Sequence, residues 1–196
     1  MKQWSSIIIR TIPAGLIVLR FLLGPVLLLS ALGGNTLWFM IGFIVAFLSD
    51  IFDGIIARRL GVSTKKLREY DGWVDTWFYG WIVLSLWLVH RAVVIAFLVP
   101  LLIVVSTQLF AWMIDLVKFR RVTNYHAYSS KAWGVTLFVS IVALFGFGYA
   151  GITLWVMIIV GVISHLEEMA MTLTLPRWMH DVPSIVHAIR IRREMV

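Results

Sequence analysis

Six apolar runs, each close to the roughly 20 residues needed to cross a bilayer, leave this chain little choice of solvent. They fall at 12–32, 36–57, 71–89, 92–117, 132–150 and 152–175. A soluble domain of 196 residues has no core large enough to hide a composition that is 61% hydrophobic. Mean hydropathy is correspondingly high, at +0.93. The expected fold is therefore an all-α integral membrane protein with six transmembrane helices.

The segments between the runs test that expectation independently of hydropathy. GGNT, between the first two, carries no charge, whereas the next link holds Arg58, Arg59, Lys65, Lys66 and Arg68. His90 and Arg91 follow, then Lys118, Arg120, Arg121 and Lys131, then the uncharged YAGI. The tail carries Arg177, Arg190, Arg192 and Arg193, and the head Lys2 and Arg10. Basic residues alternate heavy and light, as six helices with both termini in the cytoplasm require. The net charge of +7 then belongs to the cytoplasmic face and its anionic lipid, and nucleic acid is not an expected partner.

The chain has no cysteine, which excludes disulfides and thiolate metal sites. The first run is long enough to span and lacks a small-residue cleavage site, so no cleavable signal peptide is expected. With no repeat or linker, residues 1–196 read as one domain. The closing segment HDVPSIVHAIRIRREMV reads as a short interfacial helix. Asp181 or Ser184 would cap it, Pro183 would lie near its first turn, and Ile185, Val186 and Ile189 would oppose the arginines. MKQWSSIIIRTIP is a candidate for the same role at the N-terminal end; for both segments a frayed basic tail is the alternative.

Two pairs of carboxylates sit at the ends of apolar runs. Asp50 and Asp53 are spaced i, i+3, and Asp71 and Asp75 i, i+4, so each pair shares one helix face. The intervening basic loop brings both pairs to a similar depth near the cytoplasmic surface. Four carboxylates at reduced dielectric need protons, arginines or metal ions to neutralise them. Oxygen-only ligands favour Mg²⁺, Mn²⁺ or Ca²⁺, and four carboxylates suffice for two such ions, the clamp suited to phosphoryl transfer. The blander reading pairs them with Arg58, Arg59 and Lys65. Gly54 and Ala57 leave one face open to a bulky ligand, and Arg58 offers a forked cation for phosphate oxygens.

These residues resemble the signature of the CDP-alcohol phosphotransferase (CDP-alcohol phosphatidyltransferase) family, D-x2-D-G-x2-A-R-x8-G-x3-D-x3-D. Residues 50–75 keep every spacing and seven of the eight fixed residues: Asp50, Asp53, Gly54, Ala57, Arg58, Asp71 and Asp75. Leu67 stands where the family has its second glycine. Pro13, Leu16, Arg20 and Pro25 are similar to the P-N-x-L-T-x-x-R…P opening of many bacterial members, with Ala14 and Ile17 replacing Asn and Thr. Ser130-Lys131 stands where many members have Gly-Lys.

The resemblance implies transfer of a substituted phosphate from a CDP-linked lipid to a second alcohol, with release of CMP. It implies that Asp50, Asp53 and Asp71 hold one divalent cation, that Asp50, Asp71 and Asp75 contact a second, and that Asp75 is the general base. Asp50, Gly54, Ala57 and Arg58 would line the CDP site. Mg²⁺ or Mn²⁺ would be the cofactor, with Ca²⁺ a candidate inhibitor. A homodimer in a bacterial or archaeal cytoplasmic membrane, its active site facing the cytoplasm, is the implied setting.

The acceptor is less constrained. Arg121 and Lys131 flank the fourth and fifth spans and suit a phosphorylated acceptor, which makes phosphatidylglycerophosphate synthase-like chemistry the leading expectation. They read equally well as ordinary cytoplasmic charge. Inositol phosphate, inositol and serine remain alternatives, and Glu167 or Glu168 near the site would favour the last two. Arg20, in mid-span, needs an acidic partner, for which Asp115, Glu167 and Glu168 are the candidates; His165 reads as a hydrogen-bonded interior group. Two other readings are a divalent-cation transporter and a noncatalytic relative. Against the transporter, the aspartates cluster at one membrane face and no acidic path continues from them.

Overall fold

The computed structural model describes residues 2–60, 64–123 and 125–195, with side chains described except at 2–11, 57–58 and 65–69. The described residues form eight helices and no strand: α1 (Lys2–Leu32), α2 (Thr36–Arg59), α3 (Lys65–Val89), α4 (Arg91–Ala96), α5 (Leu98–Phe119), α6 (Tyr128–Phe147), α7 (Ile152–Thr174) and α8 (Ile185–Met195). Five stretches are long and apolar enough to cross a membrane: Ile12–Leu32, Thr36–Ile56, Leu98–Phe119, Tyr128–Phe147 and Ile152–Thr174. The remaining run, 71–89, lies in α3. Its 25 residues are long enough, but two aspartates and interleaved tryptophans reduce its apolarity below the other five.

Burial is inverted relative to a soluble protein. Large apolar side chains such as Val18, Leu22, Val26 and Leu29 point outward along α1, while Arg20, Ser49, Asp53, Ser85, Asp115, Ser140, Ser164, His165 and Thr172 are buried. That is the distribution expected when the outer solvent is hydrocarbon and polar groups must find partners within the protein.

Packing divides the chain into two helical units, 1–94 and 95–196. In the first, α1 is the shared neighbour of α2 and α3. Lipid is as apolar as leucine, so these contacts rest on close packing rather than on a hydrophobic driving force. Two glycines permit it. A Cβ on Gly24 would lie 2.6 Å from Trp81 Cδ1 of α3, and one on Gly42 would lie 2.7 Å from Leu27 Cδ2 of α1. Phe43 stacks on Phe39 within α2 and on Phe78 of α3, at centroid distances of 6.1 and 6.2 Å.

In the second unit α7 is central, with α5, α6 and α8 packed on it. Tyr125, Ala127, Met171, Leu175, Val182 and Ala188 form a buried cluster that ties α8 to the end of α7. α8 begins after Ser184, whose hydroxyl pairs with His187 Nδ1 at 2.8 Å, and the Glu167 carboxylate accepts from the Ile185 N–H at 3.0 Å, an anion at a helix N-terminus.

Two boundaries differ from the sequence expectation. MKQWSSIIIRTIP is not a separate interfacial helix, because α1 runs unbroken from Lys2 to Leu32. Run 92–117 is interrupted: α4 ends at Ala96 and α5 begins at Leu98. Pro100 lacks an N–H and its ring clashes with the carbonyl four residues back, that of Ala96, which accounts for the break.

Candidate active site

α2 carries Asp50 and Asp53, α3 carries Asp71 and Asp75, and α1 inserts Arg20 among them. Arg20 Nη1 lies 2.9 Å from Asp50 Oδ1 and 3.1 Å from Asp71 Oδ1, and also pairs with Asp75 Oδ1. Nη2 pairs with Asp53 Oδ2. One oxygen each from Asp50, Asp53 and Asp71 lies within 4.8 Å of the others. The four carboxylates therefore converge, as their spacing predicts.

The site is closed at one end and open at the other. The side chains of Arg20 and Asp53 are 2% and 4% exposed, whereas those of Asp50, Asp71 and Asp75 are 43%, 30% and 33% exposed. A ligand approaching the cluster thus meets Asp50, Asp71 and Asp75 first and finds Asp53 at the floor.

Among the described residues one guanidinium, that of Arg20, pairs with four carboxylates, a formal charge of −3 when all four are ionised, from −4 + 1. Nη1 has two hydrogens for three facing carboxylates, so they cannot all be well bonded at once. Hard oxygen donors, close convergence and residual negative charge together fit divalent cations such as Mg²⁺ or Mn²⁺.

Arg20 is the residue whose partner the sequence reading misplaced. It pairs with the aspartates of the motif, and the three acidic residues considered for it are engaged within the second unit. Asp115 accepts from the Thr123 N–H at 2.7 Å and the Thr172 hydroxyl at 2.6 Å. With the Thr172 proton committed to Asp115, Tyr125 donates to Thr172 Oγ1 at 2.8 Å, completing a buried relay. Burial holds the Tyr125 hydroxyl above the ordinary phenol range, so it remains a donor. Glu168 accepts from Ser130 at 2.7 Å, and Glu167 accepts from Ser129 and from the Ile185 N–H.

One signal in the sequence points to the observed pairing. Arg20 lies 14 residues before Gly34 and Asp50 lies 16 after it (34 − 20 and 50 − 34). A tight turn at 33–35 makes α1 and α2 a helical hairpin, which brings these positions to similar depth.

The other expected site residues are placed as follows. Gly54 follows Asp53 within α2, whereas the side chains of Ala57, Arg58 and Leu67 lie outside the described residues. Arg121 and Lys131 are exposed; the Arg121 guanidinium lies over the Trp178 ring at 5.7 Å and the Lys131 ammonium over Tyr128 at 5.6 Å. His165 is an interior group, as expected, with Nδ1 2.9 Å from Thr107 Oγ1. Beside the aspartates, α1 and α3 form an apolar groove of about 310 Å³ lined by Ala14, Ile17, Val18, Phe21, Tyr70 and Val74.

The family model described as CDP-alcohol phosphatidyltransferase matches residues 10–165, most of the chain. Comparison with curated proteins and with solved structures yields no significant match.

Proposed function

From the premise that the chain belongs to the CDP-alcohol phosphatidyltransferase family, whose chemistry is phosphatidyl transfer from a CDP-alcohol in phospholipid synthesis, we propose a specific reaction. The donor is CDP-diacylglycerol, the acceptor is glycerol 3-phosphate, and CMP is released. The observation that carries this reading is the convergence of Asp50, Asp53, Asp71 and Asp75 from two helices onto one half-open site.

Asp50, Asp53 and Asp71 would hold one divalent cation, and Asp50, Asp71 and Asp75 a second. Bound there, the ions would supply Lewis-acid stabilisation of the negative charge on the diphosphate. Gly54, Ala57 and Arg58 form the nucleotide side of the site, with Arg58 bonding phosphate oxygens through its fork. Asp75 accepts the proton of the acceptor hydroxyl, a role supported by its partial exposure at the open end. The apolar groove between α1 and α3 takes part of an acyl chain, so that lipid and nucleotide are held at adjoining surfaces.

Arg121 and Lys131 bind the phosphate of the acceptor. Glu167 and Glu168 already serve Ser129, Ser130 and the start of α8, which favours a phosphorylated acceptor over an amino or neutral one. The chain spans the membrane six times with α3 as the third span, both ends and the active site face the cytoplasm, and two copies pair in the membrane.

Radiolabelled CDP-diacylglycerol, offered with glycerol 3-phosphate, inositol phosphate, inositol or serine, tests this reading. Mg²⁺- or Mn²⁺-dependent CMP release with glycerol 3-phosphate is expected. Consumption with another acceptor would replace the acceptor assignment, and none with any acceptor would overturn the reaction. Ion flux into proteoliposomes without nucleotide would favour a transporter.

A further inference from the structure

Arg20 touches one oxygen of each carboxylate that the divalent ions would need. Its two terminal nitrogens contact Asp50 Oδ1, Asp53 Oδ2 and Asp71 Oδ1, one oxygen from each member of the converging carboxylate trio, and also Asp75 Oδ1. The guanidinium is buried, and its Nε has no hydrogen-bond partner among the described residues. Charge attraction toward four carboxylates thus holds Arg20, with no further bond at Nε to lock the plane of the fork.

We propose that Arg20 is a built-in counter-cation: it holds the four carboxylates together in the metal-free protein and competes with divalent cations for the same oxygens. The idea rests on the reading that these carboxylates bind divalent ions, and it adds a role for a residue of α1. Two physical consequences follow. Without Arg20, four carboxylates at low dielectric repel one another, and the fold of the first unit depends on metal. With Arg20 in place, each divalent ion must enter against a positive charge already within contact distance of its ligands, which weakens its binding. Loading of metal and withdrawal of the guanidinium are therefore linked events.

The test uses the full chain purified in detergent, with Mn²⁺ as the probe, titrated by calorimetry and by the spectrum of free Mn²⁺. The Arg20→Gln variant is expected to bind Mn²⁺ about tenfold more tightly than the wild type, or better. In chelator it is expected to melt at a lower temperature than the wild type, and Mn²⁺ is expected to raise its melting temperature by more. Arg20→Lys, which keeps the charge but loses the fork, is expected to fall between the two.

Equal or weaker Mn²⁺ affinity in Arg20→Gln would overturn the competition. Equal melting temperatures in chelator would overturn the counter-cation role. Should Arg20→Gln require metal in order to fold, it can be purified in Mn²⁺, and the charge-matched Arg20→Gln/Asp75→Asn supplies the metal-free comparison. That double variant is expected to bind Mn²⁺ at least as tightly as the wild type, and weaker binding would count against the proposal. Absence of any Mn²⁺ binding by the wild type is a different result: it would remove the metal reading itself.

Discussion

Trp77 Nε1 donates to the carbonyl oxygen of Phe21 at 3.2 Å, and that carbonyl is the one Pro25 cannot bond. Proline at position 25 lacks the N–H that would close the helical bond to residue 21, leaving an acceptor unsatisfied in a lipid-facing segment. The indole of α3 satisfies it while its ring stacks on Phe21 at a centroid distance of 5.2 Å. A break in the local bonding of α1 thus becomes a tie between two helices that carry the active site.

Replacing Trp77 by Phe keeps most of the stacking and removes the donor. The expected loss is about 1 kcal/mol, within the range for hydrogen bonds in membrane proteins. In a Pro25→Ala background, where residue 25 can bond Phe21 itself, the same substitution should cost less. A double-mutant cycle on unfolding free energy measures this, and zero coupling would rule the relationship out.

Gly24→Ala should destabilise the packing of α1 on α3 by about 1–3 kcal/mol, the usual range for overpacking. The added Cβ would meet Trp81 Cδ1 at 2.6 Å and Cγ at 3.2 Å, atoms near the root of a rigid ring that cannot swing aside. Shortening the neighbour, as Trp81→Leu, should recover part of the loss. The comparison to make is the melting temperature of the single and double variants.

Asp75→Asn should abolish turnover while CDP-diacylglycerol binding survives, because the amide cannot accept the acceptor's proton yet three carboxylates remain. Binding by equilibrium dialysis and CMP release by scintillation separate the two effects. Full turnover in this variant would falsify the base assignment.

Asp115→Ala should destabilise the second unit by about 2 kcal/mol or more, since it strands a buried N–H and a buried hydroxyl together. The donors left without an acceptor are Thr123 N–H and Thr172 Oγ1–H. Thr172→Val keeps the Thr123 N–H bonded and strands one hydroxyl, that of Tyr125, so it should be milder than Asp115→Ala. Amide exchange at Thr123 reports the loss directly: it should rise sharply in Asp115→Ala and little in Thr172→Val.

Much of the helical layout was legible because it depends on local pattern. The first expected span, 12–32, coincides with the apolar stretch Ile12–Leu32, and the last, 152–175, differs by one residue from Ile152–Thr174. Hydropathy is blind to backbone chemistry, however. It ran a single span through Pro100 and overlooked the break at Phe97, which the proline rule explains. The opening segment departs the other way: α1 continues through Pro13, which removes one helical N–H without ending the helix.

The sequence by itself determined that the chain lives in lipid and that four aspartates occupy matching faces at adjoining helix ends. Spacings of three and four residues are local geometry and survive any packing. Tertiary structure alone decided what Arg20 does. α1 is apolar on nearly every side, so its periodicity does not say which face turns inward or whether Arg20 meets the motif or Asp115. Close approach at Gly24 and Gly42, together with the pull of four carboxylates on one guanidinium, sets that rotation. Arg20 lies 30–55 positions from these four aspartates (50 − 20 and 75 − 20), and only the folded arrangement brings them together.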